Sequence, residues 1–272
     1  KHMFGRESIV CWEPDTFGHI SPMPQLLRKS GCRYYYLMRC AKAPVFWWKS
    51  PDGSKVLVFS SVYNNTLTPR NIMELVLNLV KHYGIKTSMF VYGVGNHGGG
   101  ATIDYIETGL MLQKKQIFPE LIFSSTHRFF KEFEKDPEVK KAPVFRDELQ
   151  FTFDGCYTTH SDIKRYNRLC ESLLVDAEKF AVFSNYYPRD KLYKAWSNTL
   201  FNQFHDILDG SGTQETYDYS SGLAEEALRI ANEILKTTFV RFIEKIKFSK
   251  SGVPIIVFNS LTWNRVKVVK AK

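Results

Sequence analysis

No stretch of the 272 residues approaches the run of about 20 apolar residues needed to cross a bilayer, and no basic-then-apolar leader opens the chain. These absences set the expectation of a soluble, cytoplasmic protein with no membrane partner. Cysteine is sparse and unpatterned. Cys11, Cys32, Cys40, Cys156 and Cys170 are odd in number and form no CxxC pair, which argues against a disulfide framework or zinc knuckle and for reduced buried thiols. Charge of one sign is not concentrated either. The net charge of +9 comes from basic residues interleaved with acids along the whole chain, so solvated surface is expected and nucleic acid is not. What the chain has in quantity is aromatic side chains, 15% of residues, clustered at Tyr34-Tyr35-Tyr36 and Phe46-Trp47-Trp48. Such clusters fill cores, and they also line clefts in which the apolar face of a pyranose stacks on a ring.

Periodicity divides the chain into three parts. In residues 1–142, strand-like runs alternate with helical stretches: strands at Ser8 to Trp12, Tyr34 to Met38, Val56 to Ser60 and Ser88 to Val94, and helices at Pro22 to Ser30 and Pro69 to Tyr83. That order predicts an α/β domain with a mostly parallel sheet, whose ligands sit at the carboxyl ends of the strands. In residues 143–250 the alternation gives way to three long amphipathic helices, about Asp162 to Phe183, Asp190 to Ile207 and Thr213 to Lys247, which predict a three-helix bundle. Ser161 or Asp162 is the expected cap of the first, and Asp209-Gly210-Ser211-Gly212 breaks the chain before the third. Residues 251–272 begin a β domain, with a strand at Ile255 to Phe258 and a second strand-like run toward Val269.

Three segments carry chemistry. In Trp12-Glu13-Pro14-Asp15-Thr16-Phe17-Gly18-His19, an acid follows a strand in a turn that holds it facing a cleft, although a turn-forming role serves Asp15 equally well. In Asn202-Gln203-Phe204-His205-Asp206, adjacent helical His and Asp point about 100° apart, so one can bind a metal while the other faces a ligand. An ordinary packed or surface pair has the same spacing. The third segment, Gly93-Val94-Gly95-Asn96-His97-Gly98-Gly99-Gly100-Ala101-Thr102, lets backbone approach a ligand closely, but matches neither the phosphate loop nor the dinucleotide fingerprint.

Together these segments resemble glycoside hydrolase family 38, the class II α-mannosidases. Pro14-Asp15-Thr16-Phe17-Gly18-His19 is similar to the family's Pro-Asp-x-Phe-Gly-His/Tyr signature, and Gln203-Phe204-His205-Asp206 with Gly210-Ser211 to its Gln-[FH]-His-Asp-x-x-x-Gly-[TS] signature. Phe46-Trp47-Trp48 with Pro51-Asp52-Gly53-Ser54, Glu148-Leu149-Gln150 with Tyr157-Thr158-Thr159, and the glycine-rich loop follow in the family's order. The resemblance implies part of an irregular seven-stranded α/β barrel, then the three-helix bundle and the first strands of a β domain. It implies a retaining exo-α-mannosidase acting on a terminal mannoside or oligosaccharide. Asp15 would be the nucleophile and a ligand of one divalent metal ion, usually Zn2+, and His205 a second ligand. Asp206 would bind a mannose hydroxyl and Phe17 would stack beneath the ring.

The sequence departs from the family pattern in two ways. The family's other two metal ligands lie in an N-terminal His-x-Asp motif, and His2 has no Asp two residues on, so the chain reads as a fragment. The missing ligands would come from an associated chain or a homo-oligomer; two ligands alone bind metal weakly, and both an active and an inactive isolated chain stay open. Second, Asn96 stands where many relatives carry an Asp acid/base, and an amide cannot donate a proton to a leaving group. His97 is the nearest alternative donor and Asp104 the next, with Asn96 reduced to hydrogen-bonding the substrate; alternatively the loop only shapes the cleft. These departures also suit a non-catalytic carbohydrate-binding remnant, and a metal-dependent hydrolase of another substrate is a weaker third reading.

Overall fold

The computed structural model describes residues 5–95, 99–248 and 252–268. The chain divides into two units, Lys1–Asp154 and Gly155–Lys272.

In the first unit, strand β1 (Val10–Glu13) leads through a turn to helix α1 (Met23–Lys29), and the short strand β2 (Tyr34–Leu37) follows. Strands β3 (Val45–Lys49) and β4 (Lys55–Ser60) form a hairpin across the Pro51-Asp52-Gly53 turn. Helix α2 (Pro69–Tyr83) is capped by Thr68, whose side chain accepts from the Asn71 amide, and carries proline at its start, where no amide is needed. Helices α3 (Ile103–Gln113), α4 (Thr126–Phe133) and α5 (Pro137–Lys140) precede the two-residue strand β5 (Val144–Phe145). The strands pair in the order β1-β2-β4-β3-β5, parallel throughout except between β3 and β4.

Every residue of β2 is buried, as a central strand covered on both faces requires. Strand alternation sends Tyr34 and Tyr36 to one face, where they join Phe59 and the α4 residues Phe129, Phe130 and Phe133. It sends Tyr35 and Leu37 to the other, with Leu27 of α1, Phe46 and Trp48. The aromatic clusters of the sequence are therefore mostly core. The described strands form one five-stranded, mostly parallel sheet. Ser88 to Val94 is not a strand. Its single ladder contact is an isolated parallel bridge between Asn65 and Tyr92, too little to define an element. Helix α3 is an addition to the expected elements, concealed by the glycine-rich approach to it.

The second unit holds helices α6 (Ser161–Phe183), α7 (Arg189–Phe201), α8 (His205–Leu208) and α9 (Gln214–Ile243). Small residues set the packing distance: Ala177, Ala181, Ala195, Ala224, Ala227 and Ala231 share one core with Leu174, Ile230 and Ile234. The expected cap of α6 is not used. His160 occupies that position in left-handed conformation (φ 47°) with no side-chain capping bond, and its ring stacks on Tyr217 at 3.9 Å. The second bundle helix ends at Phe201 and not at Ile207. Ile255 to Phe258 forms no strand among the described residues; Phe258 instead lies parallel to Phe239 with centroids 4.3 Å apart. All five cysteines are free, but only Cys40 and Cys170 are fully buried.

Candidate active site

Three neighbouring parallel strands, β1, β2 and β4, end side by side, and each hands one polar residue to the same place. Asp15 lies two residues beyond β1, Arg39 two beyond β2, and Tyr63 three beyond β4. Arg39 Nε donates to Asp15 Oδ1 at 2.6 Å, and the Tyr63 hydroxyl donates to Asp15 Oδ2 at 3.0 Å. The carboxylate side chain keeps 16% of its exposure. Each oxygen has a second lone pair, so the acid is fixed in direction and still able to accept or attack. The loop bearing it is tied to the next strand end, because the Pro14 carbonyl accepts from the Met38 and Arg39 amides at 3.1 and 3.2 Å. Phe17 is 9% exposed and lies edge-on to Phe153, with centroids 4.9 Å apart, and the Arg39 guanidinium sits over its ring. Little of Phe17 is left to touch a sugar.

Behind this turn lies a polar knot around the buried Tyr35 and His19. The Tyr35 hydroxyl donates to Glu13 Oε2 at 2.5 Å and meets His19 Nδ1 at 2.7 Å, so it bridges the residues on either side of the Pro14–Gly18 turn. His19 is pinned again through its backbone, which exchanges hydrogen bonds with Leu149 at 2.8 and 2.9 Å. With the hydroxyl proton on Glu13, Nδ1 carries the imidazole proton, and the buried Nε2 makes no hydrogen bond. Burial pushes the Glu13 carboxyl up, but hydrogen bonds from His19, Tyr35 and Cys11 and the nearby imidazole outweigh it and hold Glu13 below the usual carboxylate range. Burial and the Glu13 charge push the Cys11 thiol far up, so it is inert as a nucleophile.

In the second unit, His205 and Asp206 open α8 rather than lying inside the second bundle helix. The chain breaks at Asn202, whose side-chain amide donates to the Ser220 carbonyl at 2.8 Å, and Gln203 donates to Asn167 and Glu171 on α6 at 3.0 and 2.9 Å. These bonds fix the segment. The candidate pair itself is looser, with His205 Nε2 3.8 Å from Asp206 Oδ2 and side-chain exposures of 33% and 54%. Behind them, Gly210 adopts φ 88°, and a Cβ there would run into the Thr159 side chain, so the signature glycine is a packing requirement. Lys164 donates to the Thr159 and Cys156 carbonyls at 2.5 and 2.9 Å; burial lowers its pKa, and the nearby Asp209 carboxylate opposes that shift.

Asp15 and His205 thus fall in different units. Among the described residues, no group of three or more His, Cys, Asp or Glu side chains could hold a metal ion. Oxygen and imidazole donors suit zinc chemically, but two donors are fewer than the roughly three protein ligands an open site uses. Asn96 and His97 lie outside the described residues. The Val94 amide donates to the Gly100 carbonyl at 2.9 Å, and a Cβ on Gly99 would strike Val94. Asp104 is exposed in the first turn of α3, where a carboxylate complements the helix dipole.

Residues 152–242 match the Alpha mannosidase middle domain, and residues 1–148 match the Glycosyl hydrolases family 38 N-terminal domain. The chain belongs to glycosyl hydrolase family 38. Alpha-mannosidase 2C1 of Homo sapiens is 28% identical over 286 residues, covering 98% of this chain and 27% of that protein. Alpha-mannosidase G of Dictyostelium discoideum is 32% identical over 247 residues, covering 85% and 22%. The chain therefore spans about a quarter of the length of these curated relatives. An alpha-mannosidase from Enterococcus faecalis V583 superposes with a TM-score of 0.78 at 19% identity, over 89% of this chain and 31% of that one, and shares the fold. Within the family 38 chain, sequence reasoning missed Arg39, Tyr63, Tyr35 and Phe153. Arg39 and Tyr63 could have been found by asking which polar residues follow the carboxyl ends of adjacent parallel strands.

Proposed function

We propose that the protein hydrolyses terminal α-D-mannosides with retention of configuration, with Asp15 as nucleophile. The observation that carries this reading is the Asp15 carboxylate, held at the end of a parallel strand by Arg39 and Tyr63 and still partly exposed. A carboxylate aimed in this way attacks the anomeric carbon as the glycosidic bond breaks, forms a mannosyl ester, and is released when water attacks the same carbon. Arg39 holds the carboxylate directed during attack, and Tyr63 keeps its second oxygen from swinging away. Asp206, exposed on the first turn of α8, accepts from a sugar hydroxyl. Phe17 contributes a small contact beneath the ring.

Asp15 and His205 are the donors this chain offers to a divalent metal, zinc by their chemistry, and such an ion needs further donors from elsewhere. An associated chain or second copy is one source, and closure of the sheet into the seven-stranded barrel belongs to the same reading. Proton donation to the leaving group is assigned to His97, with Asn96 hydrogen-bonding the substrate.

Release of nitrophenol from 4-nitrophenyl α-mannoside, measured with and without added zinc, tests the proposal. Turnover that vanishes in Asp15→Asn is the expected result, and activity surviving that change would remove Asp15 as nucleophile. The shortage of metal donors favours a second reading, a carbohydrate-binding remnant, which predicts mannose binding without turnover under every condition.

A further inference from the structure

Phe153 has no part in the chemistry assigned above, yet it adopts a conformation that a bulky residue seldom takes. Its φ is 57°, in the left-handed region, and its side chain is not tucked into the core, because the residue is 52% exposed. A half-exposed aromatic held in an unfavourable backbone state calls for a contact that repays the strain. Its ring supplies one: the Arg39 guanidinium carbon lies 5.6 Å from the Phe153 centroid and 5.7 Å from that of Phe17. The two rings meet edge to face at 65°, so together they form an angled clip around one planar cation. Both distances fall within the reach of cation–π attraction. Cys40, the next residue after Arg39, is also left-handed at φ 63°, and its thiol donates to the Phe17 carbonyl at 3.0 Å. Strained backbone therefore flanks Arg39 in the chain and also carries one of the rings that grip it.

We propose that Phe153 is a positioning residue: with Phe17 it clips the Arg39 guanidinium between two rings and thereby aims the Asp15 carboxylate. The proposal rests on the reading of Asp15 as nucleophile. An arginine side chain one-third exposed samples many rotamers, and its Nε donation to Asp15 fixes one edge of the guanidinium without fixing the tilt of its plane. The rings fix the tilt. Without them, Arg39 still neutralises Asp15 but no longer holds it in one direction.

The test follows the Arg39 Nε–H resonance, assigned by its loss in Arg39→Lys, and the turnover of 4-nitrophenyl α-mannoside by the same proteins. In Phe153→Leu the resonance is expected to lose its ring-current shift and its exchange with water to quicken roughly tenfold, while kcat falls roughly ten- to a hundredfold with KM little changed. Phe153→Tyr is expected to keep both. Phe153→Gly relieves the backbone and removes the ring, and the clip predicts that it behaves as the leucine variant does. An Arg39 resonance and exchange rate unchanged in both the leucine and glycine variants would overturn the proposal. If the wild-type protein releases no nitrophenol, the nucleophile reading fails, and the resonance measurements still decide whether the clip exists.

Discussion

Asp15 and His205 carry the family's two most specific signatures, and their surroundings differ sharply. Asp15 has a guanidinium on one oxygen, a phenol on the other and a Glu13–Tyr35–His19 hydrogen-bond knot behind its turn. His205 is one-third exposed at the start of a four-residue helix, with Asp206 3.8 Å away and the Phe204 ring 4.3 Å from its own. The strand-end acid is oriented by its own unit. The bundle pair is placed well, through Asn202, Gln203 and Gly210, but its side chains are not held, so their final pose depends on what they bind. The proposed roles fit this contrast, since attack geometry is strict and hydroxyl recognition tolerates adjustment.

Four substitutions break or sharpen this contrast, taken from the largest expected effect to the smallest. Asp15→Asn should reduce mannoside turnover by roughly three orders of magnitude or more, since it removes the attacking group; progress curves with 4-nitrophenyl α-mannoside measure it. Gly210→Ala should destabilise the second unit by about 2–4 kcal/mol in urea unfolding, because the left-handed backbone and the overlap with Thr159 act together. Tyr35→Phe should cost the first unit about 1–3 kcal/mol by leaving the buried His19 and the half-buried Glu13 without their shared partner. His205→Ala should change stability by less than about 0.5 kcal/mol while reducing sugar or metal binding, as expected of a loosely held surface group.

The Glu13 knot adds a pH dependence to the same comparison. Its folded-state pKa lies below the ordinary 4.5, so between the two values the unfolded chain binds the extra proton. The stability Glu13 contributes is therefore fully present above pH 4.5 and is lost as pH falls through the lower folded value. Thermal melts from pH 6 down to about pH 3 should show Glu13→Gln flattening this acid limb. A limb equally steep in wild type and variant would mean that other carboxylates control it.

The sequence showed more of the secondary structure than of the site's inner construction. Strands at Tyr34 and Val56 and helices at Pro69 and Ser161 were legible because periodicity, turn residues and burial agree there. Ser88 to Val94 has the composition of a strand, but pairing is a tertiary fact, and the loop after β4 contributes only the isolated Asn65 bridge. The end of α7 was misplaced because Gln203-Phe204-His205 has nothing against helix in its propensities; the break comes from Asn202 bonding to Ser220, far along the chain. Asp15 and His205 were visible as motifs. Arg39, Tyr63 and Phe153 were not, because their roles arise where separate segments converge, and only the order of parallel strands hints at that.

The most direct test of Asp15 as the aimed nucleophile is to trap the ester it would form. Incubation of the protein with a fluorinated α-mannosyl fluoride, which slows release of the intermediate, followed by proteolysis and mass spectrometry, locates the attacked residue. The account predicts one added fluoromannosyl group on the peptide containing Asp15, and none in Asp15→Asn. A label on another carboxylate such as Glu13 or Asp206, or no label while mannoside is still hydrolysed, would contradict it.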